Sequence, residues 1–149
     1  MGVITKYWHD TWRDLTVFGG FGFYVLLLLL VLVLGNLTLF IHLLLGLVLM
    51  LASVVLIRLL YFKNRPKKQS YTNILEKIDA SSFPSLHAAK AFFLALTFMS
   101  FLAFGGKIVL LFVAALTGYS RIHLQKHDWI DVVFGMLLGI GVWYLVMLI

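Results

Sequence analysis

The chain has 149 residues, of which 62% are hydrophobic and only 12% are charged, with a formal net charge of +6. A soluble domain of this length cannot bury so much apolar surface, so lipid must surround most of it. The sequence has no cysteine, which excludes disulfide and thiolate chemistry. Its basic charge lacks the interleaved aromatics of a nucleic-acid-binding face, so a membrane surface or an anionic lipid headgroup is the expected partner.

The chain is expected to begin with an amphipathic helix over residues 3–15. At about 100° per residue, Trp8 and Trp12 fall on one side of this helix, and Asp10 and Arg13 fall on the other. This pattern is typical of a helix that lies in the headgroup layer. The apolar run that follows is too long, and too poor in small residues at a cleavage site, for a cleaved signal peptide.

Five apolar segments follow, and about 20 apolar residues are needed to cross a bilayer. They are residues 17–34, 37–57, 86–104, 108–119 and 129–149. Tight turns are expected at 35–36 and 105–107, and the fourth segment is short for a full crossing. The sequence therefore predicts one domain over residues 1–149, an all-α membrane bundle of five transmembrane helices plus the N-terminal interfacial helix.

Five spans place the N-terminus and the polar segments 58–83 and 120–128 on one side of the membrane. The segments on the other side are short and nearly uncharged. Nearly all the polar chemistry of the chain is thus expected at one membrane face, where a functional site should lie.

Three polar clusters occupy that face. They are Arg58-x6-Arg65-Pro66, Pro84-Ser85-Leu86-His87, and Ser120-Arg121-x5-His127-x3-Asp131. Arginine is always charged, and its guanidinium binds two phosphate oxygens at once. Three arginines that converge from separate segments indicate a phosphate-binding cage.

The second cluster stands where the third span begins. Pro84 and Ser85 suit the start of a helix, whose free N–H groups and positive dipole end bind anions. His87 lies in the same first turn, so its ring should reach a bound anion. In the third cluster, His127 and Asp131 are four residues apart and would share one helix face.

A carboxylate that binds one imidazole nitrogen fixes the tautomer and raises the basicity of the other nitrogen. His127 beside Asp131 is therefore a plausible nucleophile towards phosphorus, and His87 could protonate the departing oxygen. Two histidines would then have complementary roles.

Together the clusters resemble the signature of the type 2 phosphatidic acid phosphatase superfamily: Lys-x6-Arg-Pro, Pro-Ser-Gly-His and Ser-Arg-x5-His-x3-Asp. The resemblance covers residues 58–131 closely and the helical core loosely. Arg58 replaces the family lysine and preserves the charge. Leu86 replaces the family glycine, which retains the backbone N–H but adds a side chain. Neither change removes a catalytic group.

The resemblance implies that His127 forms a phosphohistidine, that Asp131 orients it, and that His87 protonates the leaving group. It implies no metal and no cofactor. The residues that it assigns to the phosphate site are Arg58, Arg65, Ser85, Leu86, Ser120 and Arg121. Candidate substrates are an isoprenyl diphosphate, phosphatidylglycerophosphate, phosphatidic acid or a lipid A phosphate.

Lys90 lies one turn inside the third span. It is a candidate headgroup or second-phosphate contact, although it could also extend its ammonium to the interface. His42 is expected to be a packing residue. The remaining lysines of the polar segment are expected to be solvated: Lys63, Lys67, Lys68 and Lys77.

Three other classes stay open from sequence. His123, His127 and Asp131 have helical metal-ligand spacing, which would suit a metal-dependent hydrolase. A phosphotransferase would share the covalent step, and a lipid-binding or transport protein would need no turnover. The excess of lysine and arginine on the site face favours a cytoplasmic site. The resemblance favours an extracytoplasmic site, and that is the orientation we expect.

Overall fold

A computed structural model describes residues 3–67 and 69–149; the side chains of residues 3–6 and 9 lie outside this description. The regular elements in these residues are helical, apart from an isolated antiparallel bridge between Asn64 and Ser81. The α-helices are α1 (Val3–Leu15), α2 (Phe21–Val33), α3 (Leu37–Leu60), α4 (Ile74–Ala80), α5 (Leu86–Phe98), α6 (Phe104–His123) and α7 (Trp129–Met147). Short 3₁₀ helices cover Thr16–Gly19 and Met99–Phe101.

Three of the described helices, α3, α6 and α7, are long and apolar enough to cross a membrane. The segment Asp10–Gly19 together with α2 passes the same test as a pair, bent by 45° at its break. Leu86–Phe101 is a shorter apolar helix. The predicted all-helical class and membrane character are thereby confirmed.

The first predicted span, residues 17–34, is not one continuous helix. It begins as a 3₁₀ helix, and Gly20 is extended with φ −68° and ψ 154° before α2 begins. Gly19 is buried, and a Cβ atom at this position would collide with the backbone carbonyl of His87. The break therefore lets the backbone approach the first turn of α5 very closely.

The predicted turn at residues 105–107 is wrong. These residues form the first turn of α6, and the chain reverses earlier, where Leu102 and Ala103 are extended. With 20 residues, α6 is long enough to cross, unlike the predicted segment 108–119. The other predicted turn is confirmed: Gly35 has φ +73°, and the side chain of Asn36 caps α3.

Helix α5 lies between α6 and α7 and contacts both extensively. Its approach to α7 is close because α7 presents glycines. A Cβ atom on Gly135 would collide with the carbonyl oxygen of Ser85, and one on Gly139 with that of Ala89. This packing brings the beginning of α5 against the beginning of α7, where Asp131 lies.

Candidate active site

Arg58 joins the first polar cluster to the second. It lies in the last turn of α3, which extends beyond the predicted end of the second span. Its Nη1 donates to the carbonyl of Ile78 at 3.1 Å, and its Nη2 donates to the carbonyl of Pro84 at 3.2 Å. The guanidinium is therefore held beside the residue that precedes Ser85.

Ser85 joins the second cluster to the third. Its backbone N–H donates to the carbonyl of Asp131 at 2.9 Å, and its hydroxyl oxygen caps α5 by accepting from the N–H of Ala88 at 3.5 Å. Among the described residues, none accepts from the backbone N–H groups of Leu86 and His87. These two donors of the first turn remain available to an anion, as the sequence predicts.

His127 precedes α7 and does not lie within it. Asp128 is the N-cap of α7, and its side chain and that of Asp131 each accept from the other's backbone N–H at 3.0 Å. His127 is buried, and its Nδ1 lies 3.6 Å from Oδ2 of Asp131, slightly beyond hydrogen-bond length. His127 and Asp131 are therefore close, as predicted, but they do not share a helix face. The capping box at the beginning of α7 places Asp131 beside His127.

Lys63 was expected to be solvated, and that prediction is wrong. Its Nζ lies 2.5 Å from Oδ2 of Asp128 and 2.8 Å from Oδ1 of Asp131. Burial opposes the charge, but these two hydrogen bonds raise the pKa of Lys63. Because the Asp131 side chain has no exposed area, it needs a paired cation, and Lys63 provides it. Lys67 and Lys77 are exposed as expected, and Lys68 lies outside the described residues.

Arg65 is held by the polar segment itself. Its Nη1 donates to Oε1 of Gln69 at 2.6 Å, and its Nη2 donates to the carbonyl of Asp79. The Asp79 carboxylate lies 3.9 Å from the same nitrogen. Burial lowers the pKa of Arg65, and Asp79 partly offsets this effect.

Ser120 and Arg121 lie in the last turn of α6, whereas the sequence placed them in a loop. The carbonyl of Arg121 accepts from the N–H groups of Lys126 at 3.0 Å and His127 at 3.2 Å, which folds the loop back towards the helix end. Ser120 is fully buried and donates to the carbonyl of Thr117 at 2.6 Å. The Ser120 hydroxyl would therefore have to rotate away from Thr117 to contact phosphate.

Arg65 and Arg121 act electrostatically on both His87 and His127. Burial lowers the pKa of His127; the two arginines lower it further, while Asp131 opposes the change. At neutral pH the buried ring of His127 is therefore the neutral imidazole, which is its nucleophilic form.

Four buried nitrogen atoms of this cluster have no hydrogen-bond partner among the described residues. They are Nε of Arg58, Arg65 and Arg121, and Nδ1 of His127. An unpaired buried donor costs about 1–3 kcal/mol, and more when it is charged. Nδ1 of His127 faces Asp131. The three guanidinium Nε groups are donors that suit an anion with several oxygen atoms.

Two further candidates lie around this cluster. Lys90 is buried in α5, with its Nζ 5.7 Å from the centre of the Phe21 ring. His123 is exposed, and its ring lies 5.0 Å from that of Trp12. The described residues contain no group of three or more metal-ligating side chains, so His123 does not join His127 and Asp131.

Helices that are long and apolar enough to cross a membrane, with a polar cluster at one end, define a membrane protein with a candidate site at that end. The chain belongs to the PAP2 superfamily, whose sequence profile matches residues 24–149. It is therefore a membrane enzyme of the phosphoric monoester hydrolase class. The family that the three clusters resemble is thereby confirmed. No functionally curated protein matches the sequence significantly.

Two crystal structures share this fold. Aquifex aeolicus LpxE superimposes with a TM-score of 0.78 at 22% identity, over 96% of this chain and 87% of LpxE. A transmembrane PAP2-type phosphatidylglycerolphosphate phosphatase from Bacillus subtilis superimposes with a TM-score of 0.65 at 22% identity, over 95% and 75% of the two chains. At this identity, the likeness concerns the fold.

Proposed function

We propose that this protein is a lipid phosphate phosphatase that transfers the phosphoryl group to His127 and then to water, without a metal ion. One observation carries the proposal most directly: hydrogen bonds unite the three clusters. Arg58 binds Pro84, and Ser85 binds Asp131, the residue beside His127. Residues from three separate segments thus meet at one point.

In the first proposed step, Nε2 of His127 attacks phosphorus while Nδ1 faces Asp131. An N–P bond forms, the ester P–O bond breaks, and its electron pair passes to the leaving oxygen. The negative charge of the bound phosphate offsets the nearby arginines and favours the protonated form of His87, which donates its proton to that oxygen. The proposed ligands of the phosphoryl oxygens are Arg58, Arg65 and Arg121, the backbone N–H groups of Leu86 and His87, and the hydroxyl groups of Ser85 and Ser120; donors of this kind stabilise transition-state charge.

The second step releases inorganic phosphate. Water attacks the phosphohistidine, the N–P bond breaks, and its electron pair returns to His127. His87, which has lost its proton in the first step, accepts one from the attacking water. Both histidines thereby regain their starting states, and protons balance over the cycle.

We also propose that five segments cross the membrane within one domain, and that α1 lies in the headgroup layer. The five segments are Thr16–Gly19 together with α2, then α3, then α5 together with Met99–Phe101, and finally α6 and α7. The support is a chain of aromatic contacts at the site end. The rings of Trp8 and Trp12 lie 5.7 Å apart, those of Trp12 and Tyr119 5.2 Å, and those of Tyr119 and Trp129 5.9 Å. Such aromatic residues favour the membrane interface. The proposed site faces the extracytoplasmic side.

A phosphate-release screen of the purified protein in detergent tests this function. The panel contains phosphatidic acid, phosphatidylglycerophosphate, a lipid A phosphate and an isoprenyl diphosphate, each with and without excess EDTA. We expect free phosphate from at least one lipid, at a rate that EDTA leaves unchanged, because fixed guanidinium groups supply the positive charge.

Loss of turnover in EDTA with recovery in zinc or magnesium would contradict the metal-free mechanism. Transfer of phosphate to a second lipid without free phosphate would identify a phosphotransferase. No turnover on any member would point to a binding or transport protein.

A further inference from the structure

We propose that Lys90 binds a second phosphate group on the leaving-group side of the site, and that the preferred substrate is therefore a lipid diphosphate. This inference rests on the proposed function and specifies its substrate class. It comes from a buried lysine that the two-step mechanism does not use.

Lys90 is only 2% exposed, yet among the described residues no carboxylate forms an ion pair with it. The chain has six acidic residues, and the ion pairs among the described residues go to Arg13, Lys63, Arg65 and His127. The electrostatic neighbours of Lys90 are themselves basic groups, Arg121 and His87. A buried ammonium among other cations is costly unless an anion joins it.

The position of Lys90 assigns that anion to the leaving group. Lys90 follows His87 by three residues on α5, so the two side chains are neighbours on one helix surface. Lys90 is one turn farther from the polar end of the bundle. In the proposed reaction His127 attacks from the other side of phosphorus, and His87 protonates the leaving oxygen. A charge beside His87 on its membrane side therefore meets the departing group.

An apolar cavity of about 390 Å³ borders this part of α5; its lining on α5 begins at Ala91, the residue after Lys90, and does not include Lys90 itself. On α5 it is lined by Ala91, Leu94, Ala95 and Phe98, which follow Lys90 down the helix. Phe18 and Phe23 also line it, and the centres of their rings lie 5.3 Å apart. We assign this cavity to the hydrocarbon tail of the leaving lipid monophosphate, since its apolar lining on α5 runs from the residue after Lys90 towards the opposite end of the helix.

The chemistry differs between the two substrate types. With a diphosphate, His127 takes the terminal phosphoryl group, and the P–O bond to the bridging oxygen breaks. The electron pair remains on that oxygen, as part of a lipid monophosphate whose negative charge Lys90 neutralises. With a phosphomonoester the leaving group is an alcohol, and Lys90 has no second anion to bind. Lys90 should therefore act as a specificity determinant.

The test compares farnesyl diphosphate with farnesyl monophosphate, because the two share one tail. We expect the wild-type protein to have the higher kcat/KM for the diphosphate. Lys90→Met should lower the ratio of the two kcat/KM values by roughly 10- to 100-fold, the range for loss of a hydrogen bond to a charged group. Lys90→Arg should keep most of the ratio, and Lys107→Met, at the opposite end of the bundle, should keep all of it.

A second measurement uses only the wild-type protein, in case the Lys90 variants fold poorly. Methylenediphosphonate should inhibit monophosphate turnover at a concentration at least about tenfold lower than inorganic phosphate, because only the former spans both positions. Three results would overturn the inference while leaving the proposed phosphatase activity intact. The first is inhibition by methylenediphosphonate and inorganic phosphate at equal concentrations. The others are a wild-type preference for the monophosphate and an equal loss of kcat/KM on both substrates in Lys90→Met. Absence of phosphate release from every lipid would instead refute the proposed function.

Discussion

The two ends of the helix bundle are held together in different ways. At the site end, hydrogen bonds join residues that are far apart in sequence: Lys63 binds Asp131, 68 residues away, and Arg58 binds Pro84, 26 residues away. At the opposite end the described side-chain bonds are local, such as Asn36 to the N–H of Leu39, three residues on. Long-range bonds therefore fix the geometry where chemistry is proposed, whereas local caps suffice where helices only need to turn.

This difference predicts how substitutions should behave. At the site end a side chain such as Arg58 or Lys63 holds other residues in place. Its loss should therefore lower activity by displacing those residues. At the opposite end, comparable changes should leave activity intact. The variants below test this contrast, beginning with the largest expected effect.

Arg121→Met should lower kcat/KM by about 10²–10³-fold, the range for removal of one preorganised donor to a transition state. Lys107→Met removes a cation near the opposite end, at the beginning of α6, and is the matched control; we expect a change below about twofold. Steady-state phosphate release in detergent measures both. Similar losses in the two variants would mean that position along α6 has no bearing on activity.

Lys63→Met should lower kcat/KM by roughly 10- to 100-fold, as loss of a group that orients a catalytic side chain does. It should also move the pH profile. Burial lowers the pKa of His127. In the wild-type protein the acid limb, where kcat/KM falls as His127 becomes protonated, should therefore lie below the pKa of an unperturbed histidine, about 6.5. Without Lys63, the Asp131 charge is no longer offset, the pKa of His127 rises, and the acid limb moves to higher pH.

Lys63→Arg keeps the charge and should keep the wild-type acid limb. Reduced activity in Lys63→Met with an unmoved limb would show that Lys63 only supports the loop structure.

Gly135→Ala should destabilise the protein by about 1–3 kcal/mol, because the added Cβ collides with the carbonyl oxygen of Ser85. Gly141→Ala lies on the same helix but meets nothing within 4 Å, and it should be neutral or stabilise by up to about 1 kcal/mol. Thermal unfolding in detergent should give a lower Tm for Gly135→Ala alone. Equal Tm values would contradict the close contact between α5 and α7.

The sequence predicts the candidate site where its signals are local. The three clusters each fit within about a dozen residues, and hydrogen bonds from Arg58 to Pro84 and from Ser85 to Asp131 join the segments that carry them. Lys63 was missed because its partners are 65 and 68 residues away and nothing nearby marks it among the other lysines of the segment.

Two errors in the helices have a similar origin. Gly105 and Gly106 suggested a turn, yet glycine is also tolerated in a first helical turn, and the chain reverses just before them. The break before α2 follows from a tertiary contact between Gly19 and His87, which no local pattern shows.

The most direct test of the central claim separates His127 from His87 by the covalent intermediate. His127→Ala should be inactive on the lipid substrate and on p-nitrophenyl phosphate. His87→Ala should lose most lipid turnover, about 10²–10⁴-fold, because an alkoxide leaves poorly without a proton. It should still give a first turnover on the aryl ester, whose leaving group needs no proton. Rapid quenching should then trap phosphoprotein in His87→Ala and none in His127→Ala; phosphoprotein in His127→Ala would contradict the account.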